Sequence, residues 1–539
     1  MKARSSLANG AWLAANLPAW QRFRHALRRV ESVQWEILRC TLAAHADTVY
    51  GRAHGFRDIR TYQQFCEQVP VVDYDALAPW IARIRQGEGS VLTCDPVTRL
   101  VPTSGSSGGR KLIPFTARLQ REFNAAIAPW MVDLCREQPS VIFGPAYWSI
   151  SPDLPAGPSE SSAIPIGFDD DSAYLGGLRQ KLVEATLAAP PSLRLVADTE
   201  THRYLTLLCL LRQPELRLIS VWHPSFLTLL LDRLPKFWDE LMRDLEQGGC
   251  RHGASLPAGV QRAVAAPPQR RRAGALRRSG PEDRQAIWPH LRVVSCWGDA
   301  QAALPLADLQ QRLPSVHLQP KGLLATEGVV TIPFRKAHPI AVTSHFYEFA
   351  DSRGAICRAH ELQRGETYTV ILTTAGGLWR YRLDDQVEVD SWLETTPSLR
   401  FLGRGRKVSD LRGEKLHESF VARAIAAACA RAQCMPSFAM LAPELLENGR
   451  PRYVLFVEKP VSSALTALLE EQLRENPHYA LCLKLGQLTP LVCAPLERGA
   501  YEIFCRTGVA AGRTQGQMKP EALSLRTDWR QLFGLAPSP

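Results

Sequence analysis

The sequence lacks any uninterrupted apolar run near the ~18–20 residues needed to span a bilayer. Its most apolar stretch, Leu205–Leu211, contains Thr206 and reads as a core helix. It also lacks paired cysteines: the thirteen are dispersed, and the closest two, Cys429 and Cys434, have no second pair at metal spacing. An odd, scattered set excludes a disulfide framework and a clustered zinc site, and makes a reducing cytoplasm the expected compartment. A signal-peptide core is missing as well, because Asn9, Gly10, Asn16 and Pro18 interrupt the N-terminal segment. No period of 20–50 residues recurs, which excludes a solenoid. What is present is ordinary globular material: 539 residues, 45% hydrophobic and 22% charged. That composition excludes a mostly disordered chain. The length predicts several folding units, or one large α/β unit and a smaller one.

The net charge is +11, a balance often found in nucleic-acid and membrane binders. Its location argues otherwise. Residues 251–284 hold eight Arg against one Asp and one Glu, and the rest of the chain carries only +5. No aromatic residue occurs in that segment, so there is no stacking platform for single strands. Like charges repel and stay in water, so a solvated surface with short helices is expected there, and no nucleic-acid partner is expected.

Periodicity places the elements. Residues 18–45 carry apolar side chains at helical spacing (Trp20, Phe23, Leu27, Val30, Val33, Ile37). Ala117–Cys135 reads as a helix with Thr116 as its N-cap. Leu205–Leu211 and Phe226–Leu234 read as apolar helices, and Leu100–Thr103 and Val141–Gly144 as strands. Leu291–Cys296 and Val316–Leu318 are strands separated by a helix at Leu304–Arg312, an α/β rhythm. Residues 340–400 are rich in strands, and a helix–strand–helix pattern follows residue 400. Gly403, Gly405 and Gly413 cluster among charges, which marks a boundary near residue 403.

The most informative stretch is Thr103–Thr116, TSGSSGGRKLIPFT. Glycines let backbone amides approach an anion, hydroxyls donate hydrogen bonds, and Lys111 adds a point charge, a chemistry suited to a triphosphate. It is not a Walker A loop, because Arg110 stands before the lysine where that pattern needs Gly. Three further strings accompany it. In Ala325-Thr326-Glu327-Gly328, a Glu before Gly is suited to hold Mg²⁺ beside phosphates. Tyr381–Asp385 offers carboxylates for ribose hydroxyls, and Phe401–Arg404 with Gly413-Glu414-Lys415 adds cations. Each string alone reads more readily as a surface turn or a salt bridge.

Their order and spacing, however, resemble a known family. The strings SGSSGGRKLIPFT (104–116), SVWHPSFLTLLL (220–231), RVVSCWGD (292–299), ATEG (325–328), HFYEF (345–349), YRLDD (381–385), FLGRGRKVSDLRGEKL (401–416) and GQMKP (516–520) run in the order of the Gretchen Hagen, auxin-responsive acyl-acid amido synthetases. The chain resembles a bacterial form of that family, which belongs to the adenylate-forming superfamily. It departs from the plant pattern in a slightly shorter 105–111 loop. Asp384 stands where the family usually has Gly, and Leu323 replaces an aromatic residue.

The resemblance implies an α/β adenylate-forming fold, with a large N-terminal ATP- and acyl-binding domain (1–402) of β-sheets flanked by helices. A mobile C-terminal α+β lid (403–539) follows, with a hinge near 403–410. It implies ATP-dependent activation of a carboxylic acid to acyl-AMP with Mg²⁺, then transfer to an amine, expected to be an amino acid, in a monomer. Carried over residue by residue, Ser104, Gly105, Ser106, Ser107 and Lys111 cradle the phosphates, Thr326 lies in the ATP site and Glu327 binds Mg²⁺. Asp385 holds the ribose, Arg404 and Lys415 contact ribose and phosphate, and Lys519 is the mobile lysine that reaches the reacting centre. Lys519, Lys111 and Arg404 are thus the catalytic candidates. Tyr147, Trp148, Trp222 and Phe226 are candidates for the acyl wall. An acyl-CoA ligase, with thiol as acceptor, and a non-catalytic adenylate or acid binder remain alternatives.

Overall fold

The computed structural model describes residues 2–103, 111–150, 162–167, 177–405, 407–446, 450–458, 461–510 and 521–536. The first strands, β1 (Val97–Thr103) and β2 (Lys111–Thr116), form an antiparallel pair in which Thr103 faces Lys111. A four-stranded parallel sheet follows, made of β3 (Ala146–Trp148), β4 (Leu218–Ser220), β5 (Val293–Trp297) and β6 (His317–Lys321) in that spatial order. Strands β7 (Phe346–Ala350), β8 (Ile356–Arg358), β9 (Thr367–Thr373), β10 (Tyr381–Leu393) and β11 (Thr396–Arg404) make an antiparallel sheet ordered β11-β10-β9-β7-β8. After it come a short hairpin, β12 (Val408–Ser409) and β13 (Leu416–His417), and a three-stranded sheet of β14 (Ala439–Leu445), β15 (Pro451–Glu458) and β16 (Thr489–Leu496). This is the expected architecture: a large N-terminal part of sheets flanked by helices, and a smaller C-terminal α+β part.

The parallel sheet explains where a ligand can sit. Successive strand residues point to opposite faces. One face presents Tyr147, Ile219, Val294 and Cys296 to the helices Thr199–Leu211 and Pro224–Gln247, in a single apolar core. Every residue from His202 to Leu211 is buried, as expected of a helix apolar all round. The other face presents Trp148, Leu218, Ser220, Ser295, Trp297 and Lys321. The helix Ala117–Glu137 packs on that side, through Met131 and Leu134. Thr116 caps it as expected, accepting from the Leu119 N–H at 3.1 Å.

Some local expectations are corrected. The single amphipathic pattern of 18–45 is two helices, Lys2–Ala26 and Val30–His45, and Leu27 and Val30 at the break are both buried. Val141–Gly144 is not a strand. Pro139 starts a 3₁₀ turn through Phe143, and the strand begins only at Ala146. Gly144 allows this because a Cβ there would lie 2.2 Å from the Glu215 carbonyl oxygen. The Arg-rich segment does form short helices, but it is not solely solvated. Arg272 donates to the Leu211 and Ile287 carbonyls at 2.5 and 2.7 Å. Burial lowers its guanidinium to about 10.

The C-terminal part packs its sheet between two apolar layers. It meets the large part through Leu229, which joins the core around Phe438 and Phe504. Glu502 accepts from Arg203 and Arg233, each at 2.9 Å. Among the described residues, no helix is long and apolar enough to cross a membrane.

Candidate active site

A cavity of about 210 Å³ lies between the second face of the parallel sheet and the helix Ala117–Glu137, and is lined also by Leu383 and Asp385 near the start of β10. Two walls of different chemistry meet in it. The inner wall is aromatic and aliphatic: Phe123, Trp130, Met131, Trp148, Trp222 and Trp297. Trp130 is held in place by donating to Gln319 Oε1 at 3.0 Å, and Trp222 and Trp297 meet with ring centroids 5.5 Å apart. The rim is charged and hydroxylated: Thr103, Thr326, Glu327, Asp385 and Arg404.

The rim is assembled from three local devices. First, Ala325–Gly328 is a tight turn in which the Ala325 and Gly328 amides each donate to the other's carbonyl, at 3.0 and 3.2 Å. Gly328 is required by space, since a Cβ would lie 2.9 Å from His345 Nε2. That nitrogen accepts from the Val329 N–H at 3.1 Å, so Nδ1 carries the proton and donates to Glu122 Oε2 at 2.9 Å. Glu122 also accepts from the Ala375 N–H at 3.0 Å. A buried chain thus anchors the turn that carries Thr326 and Glu327. Second, Asp385 and Arg404 are direct cross-strand partners on β10 and β11, with Arg404 Nε 3.7 Å from Asp385 Oδ1. Third, the register of β10 against β9 shifts between Arg382 and Gln386, and Asp384 adopts φ 63°. Asp is among the few non-glycine residues that enter this left-handed region readily. The backbone therefore keeps the conformation that the family's usual Gly permits.

These groups sense one another. Burial pushes the Glu327 carboxyl above its ordinary range and the Asp385 carboxylate adds to the rise, while Arg404 and Lys111 oppose it. The two carboxylates thus act on one another, and Arg404 and Lys111 supply the opposing charge. Lys111 opens β2 opposite Thr103, with its ammonium 5.7 Å from the Tyr74 ring centre. The string RVVSCWGD ends at Asp299, whose carboxylate accepts from the Phe401 N–H at 3.2 Å and so ties β5 to β11.

The sequence-predicted residues divide into four groups. Trp148, Trp222, Thr326, Glu327, Asp385 and Arg404 come together around the cavity, and Lys111 lies within electrostatic reach of Glu327. Tyr147 does not line it: as the strand neighbour of Trp148 it points to the opposite face and is 3% exposed in the core. Phe226 is likewise turned away, packing against that core from the first turn of the helix Pro224–Gln247. Lys415 stands apart from the cavity, exposed in the turn between β12 and β13 with φ 46°. Its carbonyl accepts from Asn476 Nδ2 at 3.3 Å. Ser104, Gly105, Ser106, Ser107 and Lys519 lie outside the described residues. Sequence reasoning missed Trp130, Trp297, Ser295 and Lys321. Trp297 was present in a quoted string, and strand parity would have paired it with Ser295.

Comparison with known proteins shows the family. Residues 19–318 match the GH3 family N-terminal domain, 338–404 the GH3 family central domain and 419–528 the GH3 family C-terminal domain. The chain is 26% identical to a probable indole-3-acetic acid-amido synthetase, GH3.12, of Oryza sativa subsp. japonica, over 93% of this chain and 92% of that protein. It is 25% identical to the indole-3-acetic acid-amido synthetase GH3.15 of Arabidopsis thaliana, over 74% and 71%. A solved structure of the GH3.15 acyl acid amido synthetase in complex with 2,4-DB shares the fold, with TM-score 0.84, 19% identity and 96% of each chain covered. With more than half of its length matched by the N-terminal model alone, and the central and C-terminal models following in order, the chain belongs to the GH3 family.

Proposed function

We propose that the protein is an AMP-forming ligase that activates a carboxylic acid with ATP and passes the acyl group to an amine, an amino acid by analogy with the relatives' names. The observation that carries this reading is the junction of an aromatic chamber with the Glu327, Asp385, Arg404 and Lys111 cluster. A carboxylate is a poor electrophile in neutral water. Attack of its oxygen on the α-phosphorus of ATP forms acyl-AMP and releases pyrophosphate. The amine then attacks the acyl carbon, AMP leaves, and a proton is lost from nitrogen. Catalysis is by positioning and charge stabilisation. An ammonium–phosphate pair at 4 Å contributes roughly 4 kcal/mol at an effective dielectric of 20.

Asp385 is suited to accept from ribose hydroxyls, and Arg404 to hold both that carboxylate and a phosphate. Lys111, with Ser104, Gly105, Ser106 and Ser107, cradles the phosphates, and Lys519 reaches the reacting carboxylate. Mg²⁺ takes one or two carboxylates and fills its shell with phosphate oxygens and water, and the cavity supplies the Glu327 and Asp385 carboxylates. Glu327 would hold it, and its role would be to neutralise phosphate charge. The proposal extends to a bacterial, cytoplasmic monomer with a lid from residue 403 and a hinge near 403–410. In support, β11 of the large part ends at Arg404 and the hairpin of the smaller part begins at Val408.

The test is acid-dependent exchange of labelled pyrophosphate into ATP across aryl and alkyl acids, then product analysis with amino acids against CoA. Exchange with no acid overturns the reading in favour of a binding protein, and thioester without amide makes it an acyl-CoA ligase. Lys519→Ala is expected to lower exchange at least roughly tenfold, the loss of about 1.4 kcal/mol.

A further inference from the structure

The geometry points to Glu122 and His345 as positioning residues, which act at one remove from the reactants by fixing the distance between the acid chamber and the nucleotide end of the site. This rests on the acid-activating reading above. The helix Ala117–Glu137 carries both parts of the device. Phe123, Ile127, Trp130, Met131 and Leu134 follow at helical spacing and line the chamber. At 1.5 Å per residue this wall runs for about 16 Å. Glu122 stands one residue before the first of them and turns to the backbone that presents the rim. Its carboxylate, 12% exposed, accepts from His345 Nδ1 at 2.9 Å and from the Ala375 N–H at 3.0 Å.

Each donor leads to one of the two rim carboxylates. His345 is fully buried, and its Nε2 accepts from the Val329 N–H, directly after the turn that carries Thr326 and Glu327. Ala375 lies in the connection between β9 and β10, and β10 carries Asp385. The packing around the pair is close. The Phe123 and His345 rings meet edge to face with centroids 5.9 Å apart, and the Ser344 hydroxyl donates to the Glu122 carbonyl at 2.8 Å. A Cβ at Gly376, next to Ala375, would lie 2.7 Å from Leu119 Cδ2 on the first turn of the same helix. One carboxylate thus ties the wall that grips the acid to both segments that present Glu327 and Asp385. Hydrogen bonds to a charged acceptor in a shielded place are strong and directional. Adenylation needs the acid oxygen aligned on the α-phosphorus, and a misplacement of about 1 Å costs on the order of 100-fold in rate. A rigid link between the two grips is therefore worth rate rather than affinity.

The test uses the full chain and pyrophosphate exchange with benzoate, phenylacetate and hexanoate. Each kcat is normalised to the folded, nucleotide-binding fraction, read from the melting curve and a tryptophan-fluorescence titration with ATP. Glu122→Gln keeps the shape of the side chain but sets an amide donor against one of the two donors it meets. It should lower kcat roughly tenfold, with KM for ATP and acid within about threefold of wild type. His345→Ala should do the same. In His345→Gln the amide oxygen is placed to accept from the Val329 N–H, and most of the loss should be recovered. Because both residues act through one contact, the double variant Glu122→Gln with His345→Ala should lose no more than the worse single one. A pair that merely supports the fold would lower the melting temperature and leave the normalised kcat unaltered. That outcome overturns the inference, as do a loss carried by KM alone and losses that multiply in the double variant. Should His345→Ala fail to fold by circular dichroism, Glu122→Gln and His345→Gln decide. Wild-type protein without exchange on any acid overturns the functional reading and this inference with it. Exchange in the wild type with an unaltered kcat in the variants overturns this inference alone.

Discussion

The two faces of the parallel sheet are built from the same four strands and do opposite work. On one, Tyr147, Ile219, Val294 and Cys296 are sealed into a core with the helices Thr199–Leu211 and Pro224–Gln247. On the other, Trp148, Ser295, Trp297 and Lys321 stop short of close packing and leave a cavity. The difference is parity alone: neighbours in sequence differ by one pleat. Substitutions one residue apart should therefore separate stability from catalysis.

The largest effect is expected on the core face. Ile219→Ala removes a fully buried side chain and should cost about 2–5 kcal/mol, read as a lower denaturant midpoint, with acid preference unaltered. A change in acid preference would show that the two faces are coupled. At the rim, Glu327→Gln should lower exchange on the order of 100-fold, about 2.7 kcal/mol, without lowering the melting temperature. A smaller loss would remove Glu327 from the reacting centre. On the cavity face, Trp222→Ala should raise the acid KM roughly tenfold, about 1.4 kcal/mol, while ATP KM holds. Parallel changes in both would place Trp222 outside the acyl chamber.

The smallest effect is a linkage. Glu327 has a folded-state pKa raised above its unfolded value by burial. The folded protein thus binds more protons than the unfolded chain between those values. Glu327 therefore favours the fold below the unfolded value, and that contribution is lost as pH rises through the folded one. Ionised Glu327 is a cost to the ligand-free protein at neutral pH, so Glu327→Gln should raise its melting temperature slightly there, and the gain should vanish at acidic pH. A gain that persists at low pH would trace it to packing instead. Removal of the carboxylate is thus expected to harm catalysis and help stability, the reverse of Ile219→Ala.

How far the chain could be read in advance depended on the range of the forces involved. Local signals were legible: the Thr116 cap and the all-apolar helix around Leu205–Leu211. So were most rim residues, because Thr326 and Glu327 share one turn, and Asp385 and Arg404 lie in short strings with charged neighbours. Tyr147 was misplaced because adjacent apolar aromatics on a three-residue strand carry no mark of which face is which. Lys415 stands apart from the cavity, and a motif lysine is indistinguishable from any other exposed one until the hairpin is folded. Arg272 looked like one more solvated cation, and burial against two carbonyls set it apart.

The sequence by itself determined the order of elements, the α/β class and the chemical types gathered at the rim, since these follow from periodicity, capping and motif composition within a few residues. Only the tertiary structure decided which strand face is core and which is cavity. The same holds for Lys321 and Ser295, which line one cavity with Trp130, Trp148, Trp222 and Trp297. Those contacts join residues up to about two hundred positions apart, as Trp130 and Gln319 do. The free energy that holds them comes from packing that no local pattern encodes.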